Sequence, residues 1–297
     1  MTAKSISFSA PFAWLTASVE SLRTDPGTLF GATALLMAFG LVPALIDQLL
    51  RWCMQPLATG TALAIQAVIW LFGMVLFPPV LGGYLRFLRA RAQGQPARPM
   101  DVFALFREPA AARRMVAIGL IFVAISVAVL LAANFATGGY MVEFFKAAIT
   151  AVPGKPPVFP PPPSGFGLWC LLCAFLGVTT MTANNLAFTQ AALGSRSSID
   201  AVGDGFAAAL RNLHVFIVFY LAILIAGMIF ALIIGLVVGL IAMLLGFISP
   251  ILALVVLVPI YLAMLLVLYA VMFGFTYNAW RATLGDDIGK VEQHIAA

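Results

Sequence analysis

The chain has 297 residues, of which 63% are hydrophobic and 9% are charged, and its formal net charge is +5. A typical soluble domain carries roughly 25% charged residues, so this composition excludes an ordinary soluble protein. The apolar runs are continuous and do not alternate with polar residues in ~10-residue segments, which excludes a transmembrane β-barrel. The composition therefore predicts an all-α, polytopic membrane protein.

Six apolar segments follow one another along the chain. Each reaches the ~20 residues that a helix needs to cross the ~30 Å hydrocarbon core, and they are Thr28–Ile46, Gly60–Leu85, Met115–Phe135, Phe166–Leu193, Leu213–Gly246 and Ile251–Trp280. The pair Pro78-Pro79 should kink or break the second span. The letters GFISP at 246–250 predict a tight turn between the last two spans. These two are over-long, so tilt, projection beyond the membrane and a broken segment are all open.

Lysine and arginine are distributed unevenly between the two sides of these spans. The N-terminus, the second and fourth loops and the C-terminus hold 13 of the 16, and the other side holds Arg51, Lys146 and Lys155. Because cytoplasmic loops are enriched in Lys and Arg, we expect both termini in the cytoplasm. The third loop, with GKPPVFPPPPSG at 154–165, is then expected outside. Its prolines form either a stiff polyproline II spacer or a docking peptide.

A short amphipathic segment precedes each odd-numbered span on the basic side. Apolar residues recur there every three or four positions, which places them on one helix face; they are Phe8, Phe12, Leu15, Val19 and Leu22, then Met100, Phe103 and Phe106, then Ile199, Val202, Phe206 and Leu210. Each segment is expected to lie in the membrane interface. Ser197, with Asp200 three positions later, resembles a capping box at the start of the third segment. We predict three parallel repeats of surface helix plus hairpin, 1–94, 95–194 and 195–285, within a single membrane domain, 1–297. Alternatively, any helical hairpin in a membrane has this appearance.

Basic residues cluster in the second loop and just after it. They are Arg86, Arg89, Arg91, Arg98, Arg113 and Arg114. One interpretation is topological, because the charges hold the loop inside. The other is a site for anionic lipid headgroups, since a basic residue near a charged membrane surface contributes about 1 kcal/mol.

Two patterns inside the spans favour helix packing. Asn184, Asn185 and Gln190 form a polar cluster in span four, where amides either hydrogen-bond to a neighbouring helix or line a path for a polar solute. Gly227, Ala231, Gly235 and Gly239 recur every four residues in span five. Small residues at this spacing allow close helix contact, either with another span of the same chain or with a second chain.

The three cysteines are all expected near the outer face. Cys170 and Cys173 share a helix face of span four, and Cys53 lies between spans one and two. They are inert buried thiols, or a disulfide joins Cys53 to one of the pair, or they form a Cu(I) site with Met54. A CxxC inside an apolar helix is weak evidence for metal.

Several stretches together resemble a family of six-span bacterial inner-membrane proteins of unknown function. They are PFAWLTASVESLRTDPGTLF, MDVFALFRE, IDAVGDGFAAALRNLHVFIVFY and YAVMFGFTYNAW, which run along most of the chain. The resemblance implies the same architecture and a location in a bacterial inner membrane. The proline-rich third loop departs from the family pattern.

The residues that could carry chemistry are few. No HExxH, GxSxG or nucleotide-binding pattern occurs in a usable context, and Asp47 and Glu143 lie at span ends. We therefore expect no enzymatic activity, no cofactor, no metal and no nucleic-acid partner. The leading hypothesis is a protein that binds lipid or other membrane proteins, as an accessory or assembly partner. The alternative is a transporter or facilitator for a neutral or apolar small molecule, with the span-four amides lining its path.

Overall fold

The computed structural model describes residues 3–53, 59–149, 158–194 and 196–285. Within these ranges the chain forms nine α-helices, one 3₁₀ helix and no strand. In chain order they are α1 (Ala10–Ser21), α2 (Pro26–Cys53), α3 (Thr59–Ala92), the 3₁₀ helix η1 (Pro99–Arg107), α4 (Pro109–Ala136), α5 (Tyr140–Ile149), α6 (Phe166–Leu193), α7 (Ser198–Arg211), α8 (Leu213–Ile248) and α9 (Pro250–Thr283).

Six of these helices are long and apolar enough to cross a membrane. The spans run over Pro26–Leu50, Ala64–Ala92, Pro109–Ala136, Phe166–Leu193, Leu213–Ile248 and Ile251–Thr283. All six predicted segments are therefore found, and the all-α, multi-pass membrane class is confirmed. The pair Pro78-Pro79 does not break the second span, since α3 continues through it. Spans five and six are also continuous helices, and the tight turn predicted between them is present at Ser249.

Three short helices lie beside the spans on the basic side, where the amphipathic segments were predicted. They are α1, η1 and α7, and they precede α2, α4 and α8. The middle one is a 3₁₀ helix, which begins with the Arg98 N–H donating to the Asp101 carboxylate at 2.7 Å. At the start of α7, the Ser197 hydroxyl oxygen accepts from the Asp200 N–H at 3.2 Å, as the predicted capping motif requires. The third loop contains α5, which the sequence patterns did not predict.

The helices pack in a pattern that recurs three times. The returning spans α3, α6 and α9 contact one another at the centre, and each contacts the outgoing span of its own hairpin and of the next one. Each surface helix packs on a returning span: α1 on α9, η1 on α3 and α7 on α6. A three-fold arrangement of repeats would produce these contacts. The repeats themselves stay a prediction, which this pattern favours.

Each surface helix makes a close approach to its returning span at a small residue. A Cβ atom on Gly83 would overlap the carbonyl oxygen of Val102 in η1. A Cβ atom on Gly205 of α7 would lie 2.5 Å from the carbonyl oxygen of Ala183. A Cβ atom on Gly274 would lie 3.1 Å from the Ser18 side chain in α1. The small residue on each span lies eleven positions before a glycine, in the pairs Gly83 and Gly94, Ala183 and Gly194, and Gly274 and Gly285.

The packed core lies in the half of the bundle that adjoins the surface helices. In α8 the buried residues are Val215, Phe216 and Phe219, and none of the described residues after Phe219 in this helix is buried. In α9 the burial begins at Ala270 and continues to the end of the helix. The opposite halves of the spans bury few side chains, so the bundle is open there.

A candidate ligand cleft and the predicted site residues

A cleft of about 880 Å³ lies between α2 and α3 in the open half of the bundle. The two helices approach closely beside it, because a Cβ on Gly73 would lie only 2.9 Å from Cγ of Pro43. Spans α4 and α9 close its floor with Gly119, Val123, Leu265 and Tyr269. Gly119 and Tyr269 lie near the middle of their helices, so the cleft extends from mid-span toward the end that faces away from the surface helices.

The lining of this cleft is mainly apolar and aromatic. Its charged and amide side chains are Asp47, Gln48 and Gln66. Asp47 and Gln48 lie near the C-terminal end of the first span and Gln66 near the start of the second, so all three lie at the same edge. Ligand sites of ~300–1,000 Å³ with an apolar lining and a few polar groups are common between the helices of bundles. This geometry suits an amphiphile with its tail at mid-span and its polar head at the edge.

Two of the predicted lipid-binding arginines hold the end of α6. The Arg86 Nε–H donates to the Ala192 carbonyl at 2.9 Å, and Arg89 donates to the Leu193 carbonyl at 2.9 Å. Cations are favourable at a helix C-terminus, where carbonyl groups lack partners. Arg86 also forms an ion pair with Glu108 at 2.7 Å. The hydrogen bond from Arg86 holds the pKa of the Glu108 carboxyl below its ordinary value, although burial acts in the opposite direction.

The other four arginines of the predicted cluster divide into exposed and half-buried side chains. Arg98 and Arg113 are exposed, whereas Arg91 and Arg114 are half-buried. Arg114 lies 3.5 Å from the Arg196 carbonyl oxygen, through Nη1. The structure thus gives Arg86 and Arg89 contacts within the protein and leaves Arg98 and Arg113 on the surface. Headgroup binding at the cluster stays a prediction.

The three span-four amides do not line the cleft. Gln190 is buried, and its Oε1 accepts a hydrogen bond from the Trp280 indole N–H at 2.6 Å. Asn184 and Asn185 are half-buried, and Oδ1 of Asn184 has no partner among the described residues. The arrangement at Gln190 is the helix-to-helix hydrogen bond that was one of the two interpretations. The same contact brings α6 and α9 together.

The small-residue stripe of α8 is not packed against another described span. Gly227, Ala231, Gly235 and Gly239 are exposed, and a Cβ on any of the three glycines would meet nothing within 4 Å. The spacing favoured packing of this stripe against another span of the same chain, and that prediction is wrong for the part of the chain that the structure describes. The reason is that the stripe lies beyond Phe219, in the open half of the bundle. Contact with a second chain stays a prediction.

The cysteines lie where the topology predicts, near the ends of spans opposite the surface helices. Cys170 is exposed, Cys173 is half-buried, and both carry free thiols. The side chain of Cys53 and the whole of Met54 lie outside the described residues, so the disulfide and the copper site stay untested there. No group of three or more His, Cys, Asp or Glu side chains suited to a metal occurs in the described ranges. The N-terminal part of the proline loop, 150–157, also lies outside them.

Asn212 is a central polar residue that the sequence patterns did not reveal. It is fully buried between α7 and α8. Its Oδ1 accepts from the Ile6 N–H at 3.0 Å, and its Nδ2 donates to the carbonyl oxygens of Lys4 at 2.9 Å and of Ala208 at 3.0 Å. These bonds fix the N-terminal segment to the start of span five. Its partner Ile6 lies 206 positions away in the sequence, and no local pattern indicates such a contact.

The predicted apolar stripes of the surface helices pack on the protein only in part. Phe206 of α7 stacks on Phe122 of α4, and the ring of Phe12 in α1 contacts that of Phe219 in α8. In α1 the buried residues are Pro11, Trp14 and Ser18, whereas Phe8 and Phe12 of the stripe are exposed. In α7 the buried residues are Ala201, Gly205, Ala208 and Ala209, and Ile199 and Leu210 of the stripe are exposed. In η1, Val102 and Leu105 are buried, and Met100 and Phe106 are exposed. The fully buried face of each surface helix therefore lies beside the predicted stripe, and part of each stripe is exposed.

These features define the class: the chain is a multi-pass, all-α membrane protein with an open cleft at one end of its bundle. No family model, no curated protein and no solved structure matches the chain.

Proposed function

We propose that this protein is a non-enzymatic membrane protein that binds a lipid-like amphiphile in the cleft between its first two spans. The observation that carries the proposal is the chemistry of the cleft, which is apolar at mid-span and has Asp47, Gln48 and Gln66 at its edge. A membrane phospholipid has the same division into apolar tail and polar head. Burying an acyl chain contributes about 0.8 kcal/mol per CH₂ group relative to water. A lipid in the bilayer is already out of water, so its preference for the cleft over the bilayer must come from the fit of its tail to the cleft and from contacts of its head with the polar edge.

The charge distribution supports an orientation with both termini in the cytoplasm, and the sequence resemblance is the basis for proposing a bacterial inner membrane. The surface helices and 13 of the 16 lysines and arginines would then lie on the cytoplasmic side. The exposed stripes of α1, η1 and α7 would rest in the lipid interface, since apolar faces at that depth are covered by the membrane. Tags on the two termini should be accessible only after the cytoplasmic side is opened. Access from outside intact cells would contradict this orientation.

The lipid proposal is tested by mass spectrometry of the intact full chain after purification in mild detergent. We expect one phospholipid to remain bound per wild-type chain. Ala44 lines the cleft and is exposed there, so Ala44→Trp should fill the space and remove the bound lipid. Ala226→Trp is the matched control, since Ala226 is exposed on α8 and does not line the cleft. No retained lipid in the wild type, or equal retention in both variants, would contradict the proposal.

A second candidate is the transport of a neutral or apolar small molecule. The observation that favours it is the depth of the cleft, which reaches Pro78 and Gly119 near mid-span and faces a packed half-bundle beyond them. A carrier open on one side has this shape, but the span-four amides expected to line its path are not in the cleft. Flux of a neutral solute into vesicles that contain the purified chain, abolished by Ala44→Trp and kept by Ala226→Trp, would favour this function.

Other membrane proteins are also proposed as partners, through the outer ends of spans five and six. The helices α8 and α9 contain 36 and 34 residues, which at 1.5 Å per residue makes them about 54 Å and 51 Å long. The hydrocarbon core is only ~30 Å thick. An uncharged hairpin of this length either tilts strongly or presents apolar surface beyond the bilayer. Crosslinking from these ends in native membranes should give a defined partner. Crosslinks to lipid alone would contradict a protein partner.

A further inference from the structure

A second cavity, of about 240 Å³, lies at the opposite end of the bundle from the cleft. It is enclosed by the surface helix α1, the start of α2 and the facing parts of α3 and α9. The polar side chains that line it are Ser21, Thr24, Arg91, Tyr277 and Asn278. One water needs on the order of 10–15 Å³ by this kind of measure, so the cavity has room for a larger polar group. We call it the Arg91 pocket.

The guanidinium of Arg91 is only partly paired. Its Nη2 lies 3.5 Å from the Ser21 carbonyl oxygen, and its Cζ lies 5.9 Å from the centroid of the Phe87 ring. Its Nη1 is buried and has no hydrogen-bond partner among the described residues. A buried donor on a charged group that lacks an acceptor is costly. Arg86 and Arg89, on the same helix, each donate to a carbonyl oxygen instead.

The surroundings of the pocket favour an anion. None of its lining residues carries a carboxylate, and the hydroxyl groups of Thr24 and Tyr277 add potential donors. The Asn278 amide already donates to the Trp14 carbonyl and the Ser18 hydroxyl. The carboxylate of Asp25 is fully exposed, and hydrogen bonds from Thr28 hold its pKa below the ordinary value, with a smaller effect from the charge of Arg91. An arginine with Nη1 donors that lack an acceptor can bind an oxyanion.

We propose that the Arg91 pocket binds a phosphate group, either inorganic phosphate or the headgroup of an anionic phospholipid. The two sources share the chemistry that Arg91 would recognise, namely a tetrahedral oxyanion with several acceptor oxygens. The pocket is a different site from the cleft, because the two share no lining residue and the Arg91 pocket lies beside a surface helix. It does not depend on the proposed lipid binding at the other end.

The test uses the full chain in nanodiscs of phosphatidylcholine, with two probes. The first is inorganic phosphate, titrated by calorimetry. The second is phosphatidic acid added to the nanodisc lipid, with the bound molecules counted by mass spectrometry of the intact chain. Binding of phosphate alone identifies a soluble ligand, and binding of phosphatidic acid alone identifies a headgroup. Failure of both probes to bind the wild type would overturn the proposal.

Variants assign the binding to the pocket. Arg91→Gln should weaken binding about tenfold or more, because one charge-assisted hydrogen bond is worth at least the ~1.4 kcal/mol of a tenfold change. Thr24→Val should weaken binding about threefold, because a neutral hydrogen bond contributes less than a charge-assisted one. Arg211→Gln is the control, since Arg211 is an exposed arginine outside both the pocket and the predicted headgroup cluster, and should change affinity less than about twofold.

Two outcomes would show that the site is elsewhere. One is that Arg91→Gln binds either probe as tightly as the wild type. The other outcome concerns Thr24→Val and applies if Arg91→Gln does not fold. Thr24 is an exposed surface residue, so Thr24→Val should keep the native melting temperature. Unchanged phosphate affinity in Thr24→Val would then contradict binding in the pocket.

Discussion

Replacing Gln190 by leucine tests whether the span-four amide is a packing residue. Gln190 and Trp280 are 2% and 8% exposed, and Oε1 of the glutamine accepts from the indole N–H at 2.6 Å. Leucine keeps a side chain of comparable size but removes the acceptor, so the N–H of Trp280 is left buried without a partner. A buried donor without a partner costs about 1–3 kcal/mol. Hydrogen bonds between membrane helices average ~0.6 and reach ~1.7 kcal/mol. We expect Gln190→Leu to lower the free energy of unfolding by about 1–2 kcal/mol.

The assay is unfolding of the purified chain by sodium dodecyl sulfate in mixed micelles, followed by helix content. Trp280→Phe removes the donor and also shrinks the ring, so the single variants alone do not isolate the hydrogen bond. A double-mutant cycle does, because the effects of two residues that interact are not additive. We expect a coupling energy of about 1 kcal/mol between the two positions.

The reasoning would be refuted by a coupling energy indistinguishable from zero. If Gln190→Leu left stability unchanged and instead abolished solute flux or lipid retention, the amide would be a ligand contact and the packing interpretation would be wrong.

Three further predictions concern the packed half of the bundle. Gly83→Ala should destabilise by about 1–3 kcal/mol, because its Cβ would overlap the backbone carbonyl of Val102, which cannot rotate away; the change in unfolding midpoint measures this. Asn212→Ala should destabilise by about 2–4 kcal/mol, since the variant leaves the Ile6 N–H and the Lys4 carbonyl without this partner, whereas the Ala208 carbonyl keeps the backbone N–H of residue 212, and it should increase proteolysis of the N-terminal segment. The ion pair of Arg86 with Glu108 should stabilise the fold fully at pH values above the ordinary pKa of the carboxyl. This stabilisation should be lost as the pH falls through the lowered pKa of Glu108. The melting temperature of Glu108→Gln should therefore depend less on pH in the acid range.

Each of these predictions has its own control. Gly227→Ala adds the same methyl group where nothing lies within 4 Å, so equal destabilisation of the two glycine variants would contradict the packing argument. For Asn212, unchanged protease resistance of the N-terminus would show that its hydrogen bonds do not hold that segment. For Glu108, the effect should shrink in high salt because the carboxylate is largely exposed. An acid dependence that persists in Glu108→Gln would assign it to another group.

The sequence by itself determined the six spans and the side on which the surface helices lie. Hydrophobicity and length are local properties of a segment, and the membrane imposes the same length on every span. The turn at 246–250 and the cap at Ser197 were readable for the same reason, because turns and caps depend on residues a few positions apart.

Only the tertiary structure decided which faces meet. The bond between Gln190 and Trp280 joins residues 90 positions apart, and Asn212 reaches Ile6 across 206 positions. Periodicity identified the bulky apolar stripes but not the fully buried face beside each of them. In α7 that face consists of small residues such as Gly205, which allow close helix contact. The small-residue stripe of α8 has the same composition and is left open, because packing depends on what lies opposite. The cleft and the Arg91 pocket arise in the same way, from the relative placement of helices that are distant in sequence.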